Sequence, residues 1–190
     1  VLTVEENRNI KSIDFLKERA NVNHSLDIVL VRREFLIQRI NEAVAEGKVS
    51  LSRDILIPAL DKYKIMGYRV EGFAEIMDGP KSYYDLNMKM LDSKVRRQLF
   101  NRERPIYTKT HDSMPAKYEI GSNVTNSLIA DGCLIEGEVE NSIIFRGVKV
   151  AKGAKVKNCV LMQDTVVEAG ADIEYLITDK EVTITAGKAM

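Results

Sequence analysis

From Val124 onward the chain repeats itself, and the repeat leaves few architectures open. VENSIIFRGVKVAKGAK from Val139, VKNCVLMQDTVVEAGAD from Val156 and IEYLITDKEVTITAGKA from Ile173 align without gaps, each displaced by 17 residues from the one before. Three aliphatic columns result: Val139, Val156, Ile173; Ile144, Leu161, with Thr178 third; and Val150, Val167, Ile184. A shorter preceding coil, VTNSLIADGCLIEGE, adds Val124, Ile129 and Ile135 to the same columns. Each coil thus divides into steps of five, six and six residues. Strands of about five or six residues, each followed by a turn, trace three faces of a prism. After three faces the chain has climbed one sheet spacing of ~4.8 Å. The small residues Cys133, Val148, Ala154, Thr165, Ala171 and Val182 fit the narrow interior, and Gly132, Gly137, Gly147, Gly153 and Gly170 fall at bends. The pattern predicts a parallel β-helix of hexapeptide units. An antiparallel sandwich has no reason to keep a fixed period through gapless coils.

The preceding residues follow a different grammar. Ser25 to Val31 (SLDIVLV) predicts a strand. Arg33 to Ala45 predicts a helix with Phe35, Leu36, Ile40, Ala43 and Val44 near one face and Gly47 as its stop. Ser52 before Arg53, Asp54 and ILIPALDKY predicts an N-capped helix with Pro58 near its first turns. Gly67 to Met77 reads as a strand pair or one bent strand. Pro80 opens a helix, PKSYYDLNMKMLDSKV, with Tyr83, Leu86, Met90 and Leu91 inward. The expected organisation is an α/β remnant of a Rossmann-like domain over 1–93, a connector over 94–118 and the β-helix over 119–190. No GxGxxG or GxxxxGK[ST] phosphate cradle occurs in the sequence. The opening VLTVEENRNIKS reads as the middle of something, so the chain is expected to be a piece of a longer protein.

Composition excludes several classes. Lys+Arg and Asp+Glu both number 28, so no basic excess favours nucleic acid. No apolar run approaches the ~20 residues needed to cross a bilayer. Two cysteines make no disulfide framework, and a reducing cytoplasm is the expected compartment. Cys133 and Cys159 fall in inward small columns, which favours buried inert thiols over a metal or redox pair. His24 and His111, the only histidines, lack ligand spacing to a cysteine or a carboxylate pair. Hexapeptide coils also build acyltransferases with a catalytic histidine between subunits, but no histidine follows His111. Lys94, Arg96, Arg97, Arg102, Arg104 and Lys109 either collect a phosphorylated anion or form a solvated helix end. Lys149, Lys152, Lys155 and Lys157 read as a solvated face on the second coil.

Four stretches carry a family resemblance over nearly the whole chain: SYYDLNMKML (82–91), NRERPIYTKT (101–110), PAKY (115–118) and NSLIADGCLIEGEVENSIIFRGVKV (126–150). Their ordered combination resembles the C-terminal half of bacterial glucose-1-phosphate adenylyltransferases (ADP-glucose pyrophosphorylases). The resemblance implies a left-handed β-helix, synthesis of ADP-glucose from ATP and glucose 1-phosphate for glycogen, a tetramer, and allosteric control by small phosphorylated metabolites. Two departures bear on the branch. Catalytic members carry Trp-Arg-Asp-Val-Gly-Thr before the aromatic helix, whose Asp holds Mg²⁺ at the nucleotide phosphates. Here the region reads GFAEIMDGPKSYYD, leaving Glu75 or Asp78 as the replacement candidates. A family Ser-Met-Gly-Ile segment against the sugar phosphate is SLDI here, keeping Ser25 but placing Asp27 where Gly allowed close approach. Both departures resemble the GlgD-type regulatory subunit. That branch implies a catalytic paralogue as partner, a hetero-tetramer, and no cofactor in this piece, Mg²⁺ with ATP belonging to the paralogue. By the same resemblance Arg102 and Arg104 are the effector-binding candidates, and Ser25, Glu75 and Asp78 the substrate-binding ones. A catalytically active adenylyltransferase subunit is the alternative.

Overall fold

A computed structural model describes residues 1–15 and 23–187. The chain divides into two compact units, Val1–Glu71 and Gly72–Met190.

In the first unit, β1 (Leu2–Val4) and β2 (Ile10–Ile13) pair antiparallel, with a register shift at Thr3/Val4. Helix α1 spans Arg33–Ala45, as its apolar spacing predicts. It stops where Gly47 adopts φ +70°: the Gly47 N–H bonds the Val44 carbonyl and the Lys48 N–H bonds that of Ala43, the paired closure of a Schellman motif. Of the predicted apolar face, Ala43 is buried and Phe35 and Leu36 are partly so, whereas Ile40 and Val44 are exposed.

The next helix begins two residues earlier than expected. Ser50, not Ser52, is the N-cap: its Oγ accepts from the Arg53 N–H, while Asp54 Oδ2 accepts from the Ser50 N–H at 2.8 Å and the Val49 N–H at 3.1 Å. The turn Leu51–Leu56 is π-helical and runs into the short α2 (Ile57–Ala59). Pro58 explains the widening, because it has no N–H to give and its ring crowds the carbonyl four residues back. The Ile57 N–H accordingly bonds the Ser52 carbonyl, five residues away.

The strands predicted at Ser25–Val31 and Gly67–Met77 do not form. A strand needs a neighbour for its ladder groups, and among the described residues neither stretch pairs into a ladder; the single bridges fall just outside them, at Asn23 and Met66. Left-handed residues also bend both stretches, Asp27 at φ +55° and Gly72 at φ +112°. In the first stretch the β-type side chains stay in solvent, Ile28 84% and Leu30 102% exposed, while Phe73 and Ile76 of the second are half-buried.

In the second unit the predicted long helix is two: α3 (Pro80–Lys89) and α4 (Ser93–Leu99). Asp92 breaks the run by capping α4, its Oδ1 accepting from the Lys94 N–H at 2.7 Å. Arg96 reaches back to the Met90 and Leu91 carbonyls at 2.5 and 2.8 Å, satisfying acceptors at the end of α3.

The remainder is a parallel β-solenoid. One sheet stacks Asn123–Thr125, Glu138–Glu140, Lys155–Lys157 and Asp172–Glu174. A second stacks Leu128–Ile129, Ile143–Ile144 and Val160–Leu161. A third stacks Lys117–Tyr118, Leu134–Ile135, Lys149–Val150, Val166–Val167 and Thr183–Ile184. The register is the one read from the sequence: Val139 against Val156 and Val156 against Ile173, Ile144 against Leu161, Val150 against Val167 and Val167 against Ile184. These residues and the small column Cys133, Val148, Ala154 and Ala171 form one continuous buried core. Thr178 enters its aliphatic column without an unmet hydroxyl, accepting from the Met162 N–H and sharing a hydrogen bond with Thr165 Oγ1 at 3.1 Å. Lys188 and Ala189, the end of the third repeat segment, lie outside the described residues.

The five-residue step turns on a left-handed residue, Asn126, Asn141, Asn158 and then Tyr175, at φ between +41° and +54°. The asparagines form a ladder: Asn126 Nδ2 donates to Asn141 Oδ1, Asn141 Nδ2 to Asn158 Oδ1, and Asn158 Nδ2 to Glu174 Oε1. Beside it Ser127 Oγ accepts from the Ser142 N–H and Ser142 Oγ from the Cys159 N–H, both at 3.0 Å. The shorter first coil closes at Gly137, where a Cβ would fall within 3.0 Å of the Ala154 and Ala151 carbonyl oxygens, so only glycine fits.

The outer faces differ. On the first sheet Glu138 and Glu140 face Lys155 and Lys157, which face Asp172 and Glu174. Lys149, Lys152, Lys155 and Lys157 are all exposed, as a solvated face requires; Lys155 and Lys157 sit between acidic rungs, while Lys149 lies on the third sheet between Leu134 and Val166. On the second sheet the outward residues are apolar and covered, Ile143 8% and Val160 0% exposed. Helix α3 reaches this side of the solenoid: the Tyr84 hydroxyl donates to the Asn158 carbonyl at 2.8 Å. Burial pushes the Tyr84 pKa up, with the nearby Cys159, Tyr175, Asp85 and Glu174 adding to the effect.

Gly137→Ala is expected to lower solenoid stability by about 2 kcal/mol or more, because backbone oxygens cannot move aside as a flexible side chain can. Gly170→Ala, whose added methyl meets nothing but must hold φ +76°, is expected to cost only about 1 kcal/mol. Thermal unfolding of the two variants checks the order. For Tyr84 the folded pKa is the raised one, so its contribution is complete below the unfolded value of about 10 and lost as pH rises through the folded value. Ultraviolet titration of Tyr84→Phe is expected to lose an ionisation step at the high-pH end of the wild-type curve.

Candidate functional site

Ser25 lies in the first unit, in the wall of a cavity of about 320 Å³ also lined by His24, Asp27, Asp14, Phe15, Ser50 and Leu51. Its position is set by a local turn. Ser25 Oγ accepts from the Asp27 N–H at 3.1 Å and donates to Asp27 Oδ1 at 3.3 Å, and Asp27 holds the left-handed conformation that aspartate tolerates. The backbone at this position thus keeps a form that favours glycine, while a carboxylate occupies the space that glycine would leave open. Beside the same cavity the Arg53 guanidinium stacks over the Phe15 ring, 4.9 Å from its centroid.

Glu75 and Asp78 belong to the second unit, in the segment leading into α3. The Glu75 carboxylate is engaged by the Lys89 ammonium. The backbone N–H groups of Asp78 and Gly79 both donate to Ser82 Oγ at 3.0 Å, closing the first turn of α3. Among the described residues no three His, Cys, Asp or Glu side chains gather as a cation site. Glu75 is thus held in an ion pair with Lys89, and Asp78 stands at the start of α3.

Arg102 and Arg104 are exposed in a tight turn where Asn101 bridges to Arg104 and Asn101 Oδ1 accepts from the Glu103 N–H at 2.9 Å. The turn presents both guanidinium groups to solvent within three residues of each other. Arg96, counted with them in the sequence, is partly buried and employed at the end of α3. Cys133 and Cys159 are buried, and burial pushes both thiols up, away from the reactive thiolate. His24 lines the first-unit cavity and His111 is exposed.

Two arrangements escaped the sequence reading. Arg39 is stacked near the rings of Phe35 (5.7 Å) and Tyr63 (5.9 Å) while its Nη2 bonds Glu42, beside a charged cavity of about 160 Å³ that Lys48, Asp54 and Lys62 also line. The Phe35/Arg39 spacing of one helical turn was the available signal. The bond from Tyr84 to Asn158 spans 74 residues and had no local signal at all.

Comparison with known proteins matches residues 113–190 to the family described as GlmU-like, C-terminal hexapeptide. The Glycogen biosynthesis protein GlgD of Bacillus subtilis (strain 168) is 45% identical over 125 residues, 66% of this chain and 36% of that protein. The protein of the same name from Geobacillus stearothermophilus is 54% identical over 70 residues, 37% of this chain and 20% of that one. The Glucose-1-phosphate adenylyltransferase of Bacillus thuringiensis (strain Al Hakam) is 32% identical over 143 residues, 75% of this chain and 38% of that protein. The matches thus span little more than a third of the relatives' length at most. Identity is higher to the GlgD proteins than to the adenylyltransferase, the same direction in which the altered residues at 27 and 75–79 point. No helix among the described residues is long and apolar enough to cross a membrane. The chain is thus similar to the C-terminal third of GlgD and glucose-1-phosphate adenylyltransferase proteins, and its residues 113–190 match the GlmU-like hexapeptide family.

Proposed function

We propose that the chain is part of a regulatory subunit that tunes a catalytic paralogue making ADP-glucose from ATP and glucose 1-phosphate for glycogen, in a cytoplasmic hetero-tetramer. The observation that carries this reading is Asp27. Its carboxylate stands beside Ser25 where catalytic members resemble one another in having glycine, and a negative charge there opposes a sugar phosphate. The pairing of Glu75 with Lys89 supports the same reading, since it occupies the carboxylate nearest in sequence to the missing metal motif. On this reading ATP and Mg²⁺ act in the paralogue, and the part played by this subunit is assembly and modulation. The exposed Arg102 and Arg104 turn is the place on this chain for a small phosphorylated effector, since arginine grips phosphate bidentately.

Full-length protein assayed alone is expected to release little pyrophosphate, and addition of the paralogue to give activity above that of the paralogue by itself. Robust turnover without a partner refutes the reading and leaves the active-subunit alternative. Asp27→Gly in the full-length protein is expected to tighten glucose 1-phosphate binding about fivefold, since removing one charge ~4 Å from a phosphate is worth on the order of 1 kcal/mol in water. Calorimetric titration of the two proteins reads the difference.

A further inference from the structure

Helix α3 holds the 75–79 segment at two points. At its first turn Ser82 Oγ accepts from the Asp78 and Gly79 N–H groups and donates to the Gly79 carbonyl at 2.9 Å. At its last residue the Lys89 ammonium pairs with Glu75. The segment is thus tied to both ends of the helix, and its order depends on the order of that helix. Between these ties Tyr84 leaves the helix and bonds the Asn158 carbonyl.

That acceptor is immobile. Asn158 is 8% exposed, its N–H bonds the Glu140 carbonyl at 3.1 Å, and its side chain is held by Asn141 on one side and Glu174 on the other. The Tyr84 hydroxyl thus anchors the helix that carries this segment onto a corner of the solenoid held by its own hydrogen bonds. A hydrogen bond is directional, so it fixes position in a way that apolar contact with the neighbouring outer face does not.

We propose that Tyr84 is the positioning residue through which the solenoid sets the placement of the 75–79 segment, so that an event displacing the Asn158 corner displaces that segment with it. The regulatory consequence rests on the function proposed above; the mechanical link does not.

The test uses Tyr84→Phe in the full-length protein assembled with its catalytic paralogue, with Ser82→Ala for comparison. Phenylalanine keeps the ring and removes only the hydroxyl. Amide hydrogen exchange at Asp78 and Gly79 is expected to quicken at least tenfold in Tyr84→Phe, with exchange at Val139, Val156 and Ile173 unchanged and stimulation of the paralogue reduced at undiminished assembly. Ser82→Ala removes the acceptor of the two amides directly and is expected to release them with the Tyr84 bond intact. Release by Ser82→Ala but not by Tyr84→Phe overturns the proposal. So does lost protection in the rungs of Tyr84→Phe, which would make Tyr84 a general prop of the solenoid. Stimulation retained while the two amides are released overturns the transmission. If the wild-type protein gives no stimulation, the regulatory reading fails, and the exchange measurement alone decides the mechanical link.

Discussion

Backbone hydrogen bonds between successive coils are the constraint on which the solenoid depends. Each runs from an N–H of one coil to a carbonyl of its neighbour, as from Ile143 to Cys159 or from Lys149 to Thr165. Because every rung must meet the next at the same height, a side chain that points inward must be stacked on another of similar size. The 17-residue repeat is that geometric requirement written in sequence. The asparagine and serine ladders serve the same end at the corner, supplying acceptors to amides and amide groups that the bend would otherwise leave unmet.

The inward columns were legible because each residue there has a counterpart at a fixed offset, and three repetitions expose the offset. The outward faces were not, because what covers a face lies elsewhere in the chain. Ile143 and Val160 look like any strand residues in sequence; their burial depends on what lies over the second sheet, and nothing local encodes Tyr84 reaching Asn158. The lysines of the second coil are solvent-exposed as expected; what had no local signal is that the neighbours of Lys155 and Lys157 in space are the acidic rungs above and below.

The first unit shows the opposite failure. Its stretch at 25–31, like the one at 67–77 that straddles the unit boundary, has β-type composition and no ladder, because strand propensity becomes a strand only beside a partner. Where the controlling interactions were local, the reading came close: α1 has the expected bounds, and the cap of the next helix moved only from Ser52 to Ser50. The candidate site was readable at the level of missing or altered motifs. The left-handed turn at Asp27 and the employment of Glu75 by Lys89 required coordinates.

The alternation of acidic, basic and acidic rungs on the first sheet imposes a parity on how such a domain can change length. Duplicating the coil that carries Lys155 and Lys157 would set ammonium groups against ammonium groups, and excising it would set Glu138 and Glu140 directly against Asp172 and Glu174. Coils can be gained or lost in pairs without that conflict. A single added turn avoids that conflict where its outward residues are uncharged, as Asn123 and Thr125 already are beside Glu138 and Glu140.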